Sequence, residues 1–210
     1  MDNNSLIFDS IFFSYGINEI LRGTYLNIKK GKIVGLFGMN GCGKSTLLKI
    51  GIGALKQNEG LIIINGNRFT SKCTNKKYDF IAYLHQENFL PMDLTIKQLI
   101  NNIKDNEVKE KLLKNEIISS NLNKKIGVLS GGENRFFEIT LVLALNREYI
   151  FLDEPFTGLS PLNIEKVVEM IKFESNNGKG IIVCDHYINY SIPLADIKYM
   201  LHQGQCKVFS

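Results

Sequence analysis

Residues Gly38-Met39-Asn40-Gly41-Cys42-Gly43-Lys44-Ser45-Thr46 fill every fixed position of a G-x-x-x-x-G-K-[ST] phosphate loop. Nothing else in the chain narrows its fold so far, because such a loop needs a strand to deliver it and a helix to follow it. Both flanks comply. Lys32-Ile33-Val34-Gly35-Leu36-Phe37 reads as a short apolar strand, and Leu47-Leu48-Lys49-Ile50 continues as an amphipathic helix. Gly38, Gly41 and Gly43 allow backbone N–H groups to turn inward onto phosphate oxygens, and the helix opening near Lys44 adds the positive end of its dipole. Lys44 is expected to reach the β- and γ-phosphates of a nucleoside triphosphate, and the Ser45 hydroxyl to ligate Mg²⁺. A glycine-rich turn that ends in Lys-Ser by coincidence would not bring both flanks with it.

A chain of 210 residues, 44% of them hydrophobic, suffices for one substantial core with a small appended lobe. The net charge of +4 is mildly basic, but the chain has only four arginines and its lysines are scattered. That distribution argues against a nucleic-acid surface, and no nucleic acid is expected as a partner. Lys29-Lys30, Lys76-Lys77 and Lys124-Lys125 read as solvated edges. Cys42, Cys73, Cys184 and Cys206 show no metal-binding spacing. Cys42 inside the phosphate loop points to a reducing compartment, since its oxidation would block the nucleotide site. Residues 1–5 lack the basic and apolar regions of a signal peptide, and no apolar run approaches the ~20 residues that span a bilayer. The expectation is a chain soluble by itself and cytoplasmic.

Ser5 to Lys30 is strand-like, broken by a polar turn around Gly16-Ile17-Asn18, and reads as an antiparallel edge laid against the phosphate-loop strand. Gly60 to Gly66 is a buried strand ending in an Asn-Gly turn, and Asp79 to Leu84 is another, running into His85-Gln86. Thr95-Ile96-Lys97-Gln98 is a capping box that opens a helix through Ile103, and Glu107 to Ile118 reads as one further helix. Ile126 to Glu133 leads into an apolar helix from about Arg135 to Leu145. Tyr149 to Glu154 is an apolar run ending in two carboxylates, as a central parallel strand would be at the ligand crevice. Ser160-Pro161 starts a helix through Phe173. Ile181 to Cys184 is the next buried strand, and Ile197–Leu201 with Gln205–Phe209 forms a final hairpin.

The order and spacing of Gly38–Thr46, Gln86, Leu129-Ser130-Gly131-Gly132-Glu133, Asp153-Glu154 and His186 resemble the ATP-binding cassette of the ABC transporter superfamily over nearly the whole chain. The resemblance implies an α/β fold of the P-loop NTPase type, an ABC-type nucleotide-binding domain. Its parts would be a mixed parallel core sheet, an antiparallel β subdomain and an α-helical subdomain over about 87–135, within a single domain 1–210. It implies that Tyr15 stacks on adenine, that Gly38, Asn40, Gly41, Cys42, Gly43, Lys44, Ser45 and Thr46 hold the phosphates of ATP, and that Asp153 holds Mg²⁺ with Ser45 and Gln86. Glu154 would polarise the attacking water, His186 would contact the γ-phosphate, and Gln86 would link the site to the helical lobe; with Lys44 these are the implied catalytic residues. Ser130, Gly131 and Gly132 would close over ATP held by a second cassette. The same segment also reads as a plain helix cap, with Ser130 and Glu133 as a capping box, and both readings stand.

Glu133 stands where the family most often has glutamine; it is similar in this to a subset that includes the lipopolysaccharide-transport ATPases, as are Glu154-Pro155-Phe156 and Asp185-His186. Ser160 replaces the usual aspartate after the catalytic glutamate, which implies altered coupling between the paired sites. The expected function is the ATP-binding and hydrolysing subunit of an ABC transporter, as a homodimer or heterodimer beneath separate transmembrane permease subunits, peripheral on the inner face of the cell membrane. The rival is a soluble cassette in assembly or regulation, such as iron–sulfur cluster assembly; a third reading is a nucleotide-binding module of low turnover.

Overall fold

The structure is a computed structural model, and it describes residues 4–69 and 79–209. Cys73 and Lys76-Lys77 lie outside the described residues. Among the described residues, ten strands and seven helices follow in chain order. Ser5–Tyr15 (β1) and Asn18–Lys29 (β2) form a hairpin; Ile33–Phe37 (β3) leads to Lys44–Gly51 (α1); Glu59–Ile64 (β4), Asn67–Phe69 (β5) and Ile81–Leu84 (β6) come next. Ile96–Asn102 (α2), Asn106–Lys114 (α3), Glu116–Ser119 (α4) and a 3₁₀ turn at Ile126–Val128 precede Gly131–Ala144 (α5). The chain continues through Tyr149–Asp153 (β7), Pro161–Asn176 (α6), Gly180–Cys184 (β8), Ile188–Leu194 (α7), Ile197–His202 (β9) and Gln205–Phe209 (β10).

The strands divide into two sheets, which corrects the expectation that β1 and β2 lie along the phosphate-loop strand. One is antiparallel, in the order β2-β1-β4-β5, and the other is six-stranded, in the order β10-β9-β3-β8-β7-β6. In the second sheet only β10 runs antiparallel to its neighbour. The β4–β5 turn has positive φ at both Asn65 and Gly66, as a type I′ hairpin turn demands. The two sheets are stitched where Arg22 N–H (2.8 Å) and the Thr24 hydroxyl (2.6 Å) both donate to the Gly204 carbonyl between β9 and β10.

Period-two alternation explains how the layers stack. On one face of the larger sheet Val34, Leu36, Tyr149, Phe151, Ile182 and Cys184 share a core with α1 and the antiparallel sheet. On the other, Ile150, Leu152, Ile181 and Val183 pack under α5, α6 and Leu194 of α7. A third cluster joins α2–α4 to Phe137 and Ala144 of α5, so the helical lobe is anchored through that helix. The expected single helix over Glu107–Ile118 is broken at Asn115, whose backbone is extended (φ −77°, ψ 117°) and whose side chain accepts from Ile117 N–H and Ile118 N–H. Helix α5 begins at Gly131 rather than near Arg135, because the Ser130–Glu133 capping box is fully formed. Helix α7 was not expected at all. Among the described residues no helix is long and apolar enough to cross a membrane.

Candidate active site

Helices α2, α3, α5 and α6 are capped at their N-termini by Thr95, Asp105, Ser130 and Ser160, whereas α1 starts at Gly43 with no side-chain cap. The first N–H groups of α1 therefore stay open to an external acceptor, and a tetrahedral anion is the acceptor they suit. Gly38 (φ +152°) and Gly43 (φ +109°) adopt backbone conformations that favour glycine. A Cβ at Gly38 would lie 2.7 Å from Cys42 Sγ, and one at Gly43 would lie 2.7 Å from Ile20 Cγ2. Lys44 folds its ammonium over the loop, donating to the carbonyls of Gly38 (2.8 Å) and Met39 (3.1 Å). Asn40 and Gly41 are exposed, while Cys42, Ser45 and Thr46 are half-buried. Burial pushes the Cys206 thiol up to about 12, with the neighbouring Cys42 adding to the rise.

Strand alternation sets the acidic pair. Asp153 follows Tyr149 and Phe151 onto the face covered by α1, and there the Ser45 hydroxyl donates to its Oδ1 at 3.1 Å. The Tyr83 hydroxyl donates to Oδ2 at 2.9 Å. Burial raises the Asp153 carboxyl above its usual value, and the two hydroxyls oppose that rise. Asp153 and Ser45 thus present hard oxygens at one point, the donor chemistry Mg²⁺ prefers. Among the described residues no group of three or more His, Cys, Asp and Glu could hold a metal; phosphate oxygens and water would complete a Mg²⁺ shell, as that ion favours.

Glu154 occupies the left-handed region at φ +49°, and its N–H still donates to the Cys184 carbonyl at 2.7 Å. The backbone therefore turns just past the last rung of the β7–β8 ladder, where Asp153 pairs with Cys184. His186 Nδ1 lies 3.8 Å from Glu154 Oε2, with the imidazole half exposed. Asp185 fixes this arrangement from below: its carboxylate accepts from Phe156 N–H (2.9 Å) and Tyr187 N–H (2.8 Å), joining the loop after Glu154 to the loop carrying His186. Burial raises the Asp185 carboxyl as well.

Gln86 lies two residues beyond β6 and is exposed. Tyr15 ends β1 half exposed, its ring edge-on to Phe13 at 4.8 Å. Ser130, Gly131 and Gly132 open α5 at the surface, and none of the described hydrogen bonds joins them to the phosphate loop of the same chain. Gly132 instead meets the loop after Glu154: a Cβ there would come 2.8 Å from the Gly158 carbonyl. His85 donates no described hydrogen bond; its ring is tilted against those of Tyr83 (4.4 Å, 57°) and Phe89 (6.1 Å, 53°).

Three residues that the sequence motifs do not mark tie these pieces together. Arg135 is 4% exposed, and its Nη2 donates to the carbonyls of Asp153 (2.7 Å) and Glu154 (2.9 Å). Its Nη1 donates to the His85 carbonyl (2.6 Å) and lies 3.4 Å from Glu138 Oε2. Glu138, fully buried, accepts from Phe89 N–H at 2.8 Å. One ion pair on α5 thus holds the ends of both β6 and β7. Tyr83 is the third. The available signal was an Arg and a Glu three apart inside an otherwise apolar helix, since charges in such a setting are buried only when paired.

A glycine-lined anion cradle at the start of an uncapped helix, a serine–aspartate pair of hard oxygens beside it and a carboxylate at the next residue define a P-loop nucleoside triphosphatase. Residues 21–157 match the model of the ABC transporter family. The chain is 30% identical to an uncharacterised ABC transporter ATP-binding protein of Rhizobium meliloti, over 97% of this chain and 79% of that protein. It is also 30% identical to the lipopolysaccharide export system ATP-binding protein LptB of Haemophilus influenzae, over 91% and 84% of the two chains. A solved ATP-binding subunit of an ABC transporter superposes with a TM-score of 0.86 at 26% identity, covering 96% of this chain and 88% of its own. A dimeric bacterial ABC transporter cassette shares the fold with a TM-score of 0.81 at 24% identity, covering 96% of each. The chain belongs to the ABC transporter family and is an ATP-binding, ATP-hydrolysing cassette.

Proposed function

We infer that this chain is the ATPase subunit that energises an ABC transporter, working as a dimer with Mg²⁺ on the inner face of the cell membrane. The observation that carries the reading is the hydrogen bond from Ser45, at the start of the helix after the phosphate loop, to Asp153, with Glu154 the next residue along the chain. Lys44 neutralises charge on the β- and γ-phosphates; Ser45, Asp153 and Gln86 would hold Mg²⁺, which would supply further charge stabilisation. Glu154 accepts a hydrogen bond from the attacking water, with His186 directed to the γ-phosphate. Tyr15 offers its exposed ring to the adenine. Ser130, Gly131 and Gly132 of a second cassette supply the facing anion site, which accounts for their exposure and for their separation from their own phosphate loop.

An open apolar groove of about 480 Å³, walled by Tyr83, Phe89, Pro91 and Leu99 among others, runs between the helical lobe of residues 87–135 and the end of β6. It suits a helix from a separate permease subunit, and two of its walls, Tyr83 and Phe89, flank Gln86 in the sequence. A larger groove of about 830 Å³ between α3, α4, α5 and α6 has none of Ser45, Asp153 and Glu154 in its lining. The transport reading is favoured over the assembly reading by the relatives named for export and import systems. Two measurements test it. Glu154→Gln should bind ATP, elute as a dimer and lose turnover; undiminished hydrolysis overturns the role of Glu154. Purification from detergent-solubilised membranes should recover an integral membrane partner; recovery of soluble partners alone overturns the transport reading.

A further inference from the structure

Asp153 is 1% exposed, and a buried carboxylate has no solvent to fix the orientation of its two oxygens. Here two hydroxyls do so, one on each oxygen: Ser45 on Oδ1 and Tyr83 on Oδ2. Tyr83 pairs with Phe151 across the β6–β7 ladder, so alternation sends its ring to the α1 face, where Asp153 also points. A phenol is an O–H donor at neutral pH, and a carboxylate is its natural acceptor. The same ring lies tilted against His85 and forms part of the wall of the 480 Å³ groove.

We propose that Tyr83 is a positioning residue for the metal: its hydroxyl holds Asp153 Oδ2 so that Oδ1 stays turned toward Ser45 and the metal. Without the phenolic donor, the carboxylate loses one of its two fixed contacts and is free to rotate about its Cβ–Cγ bond. The metal then has to order it on binding. The proposal rests on the reading of Ser45 and Asp153 as the metal's protein ligands.

Tyr83→Phe keeps the ring and removes only the donor. Equilibrium binding of a fluorescent ATP analogue is measured with and without Mg²⁺ for the unaltered protein, Tyr83→Phe and Asp153→Asn. The Mg²⁺-dependent gain in affinity should fall by about tenfold in Tyr83→Phe, equivalent to about 1.4 kcal/mol. Metal-free binding should be unchanged, and steady-state turnover should show a raised KM for Mg²⁺ with kcat near its original value at saturating metal. A merely structural tyrosine would lower the melting temperature and weaken binding equally with and without Mg²⁺, which overturns the proposal. Loss of the Mg²⁺-dependent gain in Asp153→Asn with the gain intact in Tyr83→Phe also overturns it. A gain that persists in Asp153→Asn overturns the underlying metal assignment instead.

Discussion

Arg135→Met should destabilise the protein by about 3–5 kcal/mol, the range for removing one partner of a buried ion pair. The figure follows from what the guanidinium leaves behind. Glu138 is fully buried, and with Arg135 gone its carboxylate keeps, among the described residues, the bond from Phe89 N–H. The carbonyls of His85, Asp153 and Glu154 lose their charge-assisted donors at 2.6 to 2.9 Å at the same time. Against a total stability of about 5–15 kcal/mol for a typical domain, the loss is a large share. Urea unfolding reads it directly: with m near 2 kcal/mol per M, the midpoint should fall by about 1.5–2.5 M. A cycle with Glu138→Gln separates the pair from the rest. The substituted amide still accepts from Phe89 N–H but carries no charge, so the double variant should be less destabilised than the sum of the singles by roughly 1–3 kcal/mol. A cost below about 1 kcal/mol for Arg135→Met, or additivity within about 0.5 kcal/mol, would refute the view that one ion pair knits β6 to β7. Arg135→Lys should recover only part of the loss, because a lysine cannot span two strand ends with one fork.

The ionisation of Asp153 gives a stability prediction with a definite sign. Burial raises its folded-state carboxyl above the ordinary 3.8, so ionising it at neutral pH costs the folded state stability. Without nucleotide and metal, Asp153→Asn should therefore raise the melting temperature at pH 7; the gain should shrink as pH falls through the raised value and vanish below about 4. A constant gain from pH 4 to 8 would show that charge burial is not its cause. At Cys42, half-buried in the loop, thiol alkylation should abolish ATP binding, and prior ATP should slow the modification. Full alkylation with binding intact would remove Cys42 from the nucleotide pocket.

How legible the site was depended on whether its parts are local in the chain. The phosphate loop, the Ser130–Glu133 box and the β7 run ending in Asp153-Glu154 carry their structure in short spacings, and each forms where its pattern places it. The sheet partition was not legible, because the apolar alternation of β1 and β2 is the same whether they pair with β3 or with β4. The break at Asn115 was hidden by an apolar pattern continuous across it; the asparagine serves there as a cap, a role that hydrophobic periodicity does not register. Helix α7 carries Pro193 and follows a strand-end His-Tyr, which masked seven residues of helix. Tyr83 and Arg135 were missed for a different reason. Apart from Glu138, three residues from Arg135, their partners are 70 and 18 to 50 residues away in sequence, and only the register of β6 beside β7 brings them together.

Gly132 couples two surfaces of the molecule. With only a hydrogen at its α-carbon, the opening turn of α5 lies against the Gly158 carbonyl, in the loop that runs from Glu154 to the cap of α6. The surface proposed to face a second molecule and the loop bearing this molecule's own carboxylate are therefore one mechanical piece. Gly132→Ala would wedge them apart, so the lesion would act twice: on the partner's nucleotide, through the altered facing surface, and on the chain's own Glu154, through its displaced loop. In a mixed dimer with one altered chain, both sites should be impaired, each through a different defect.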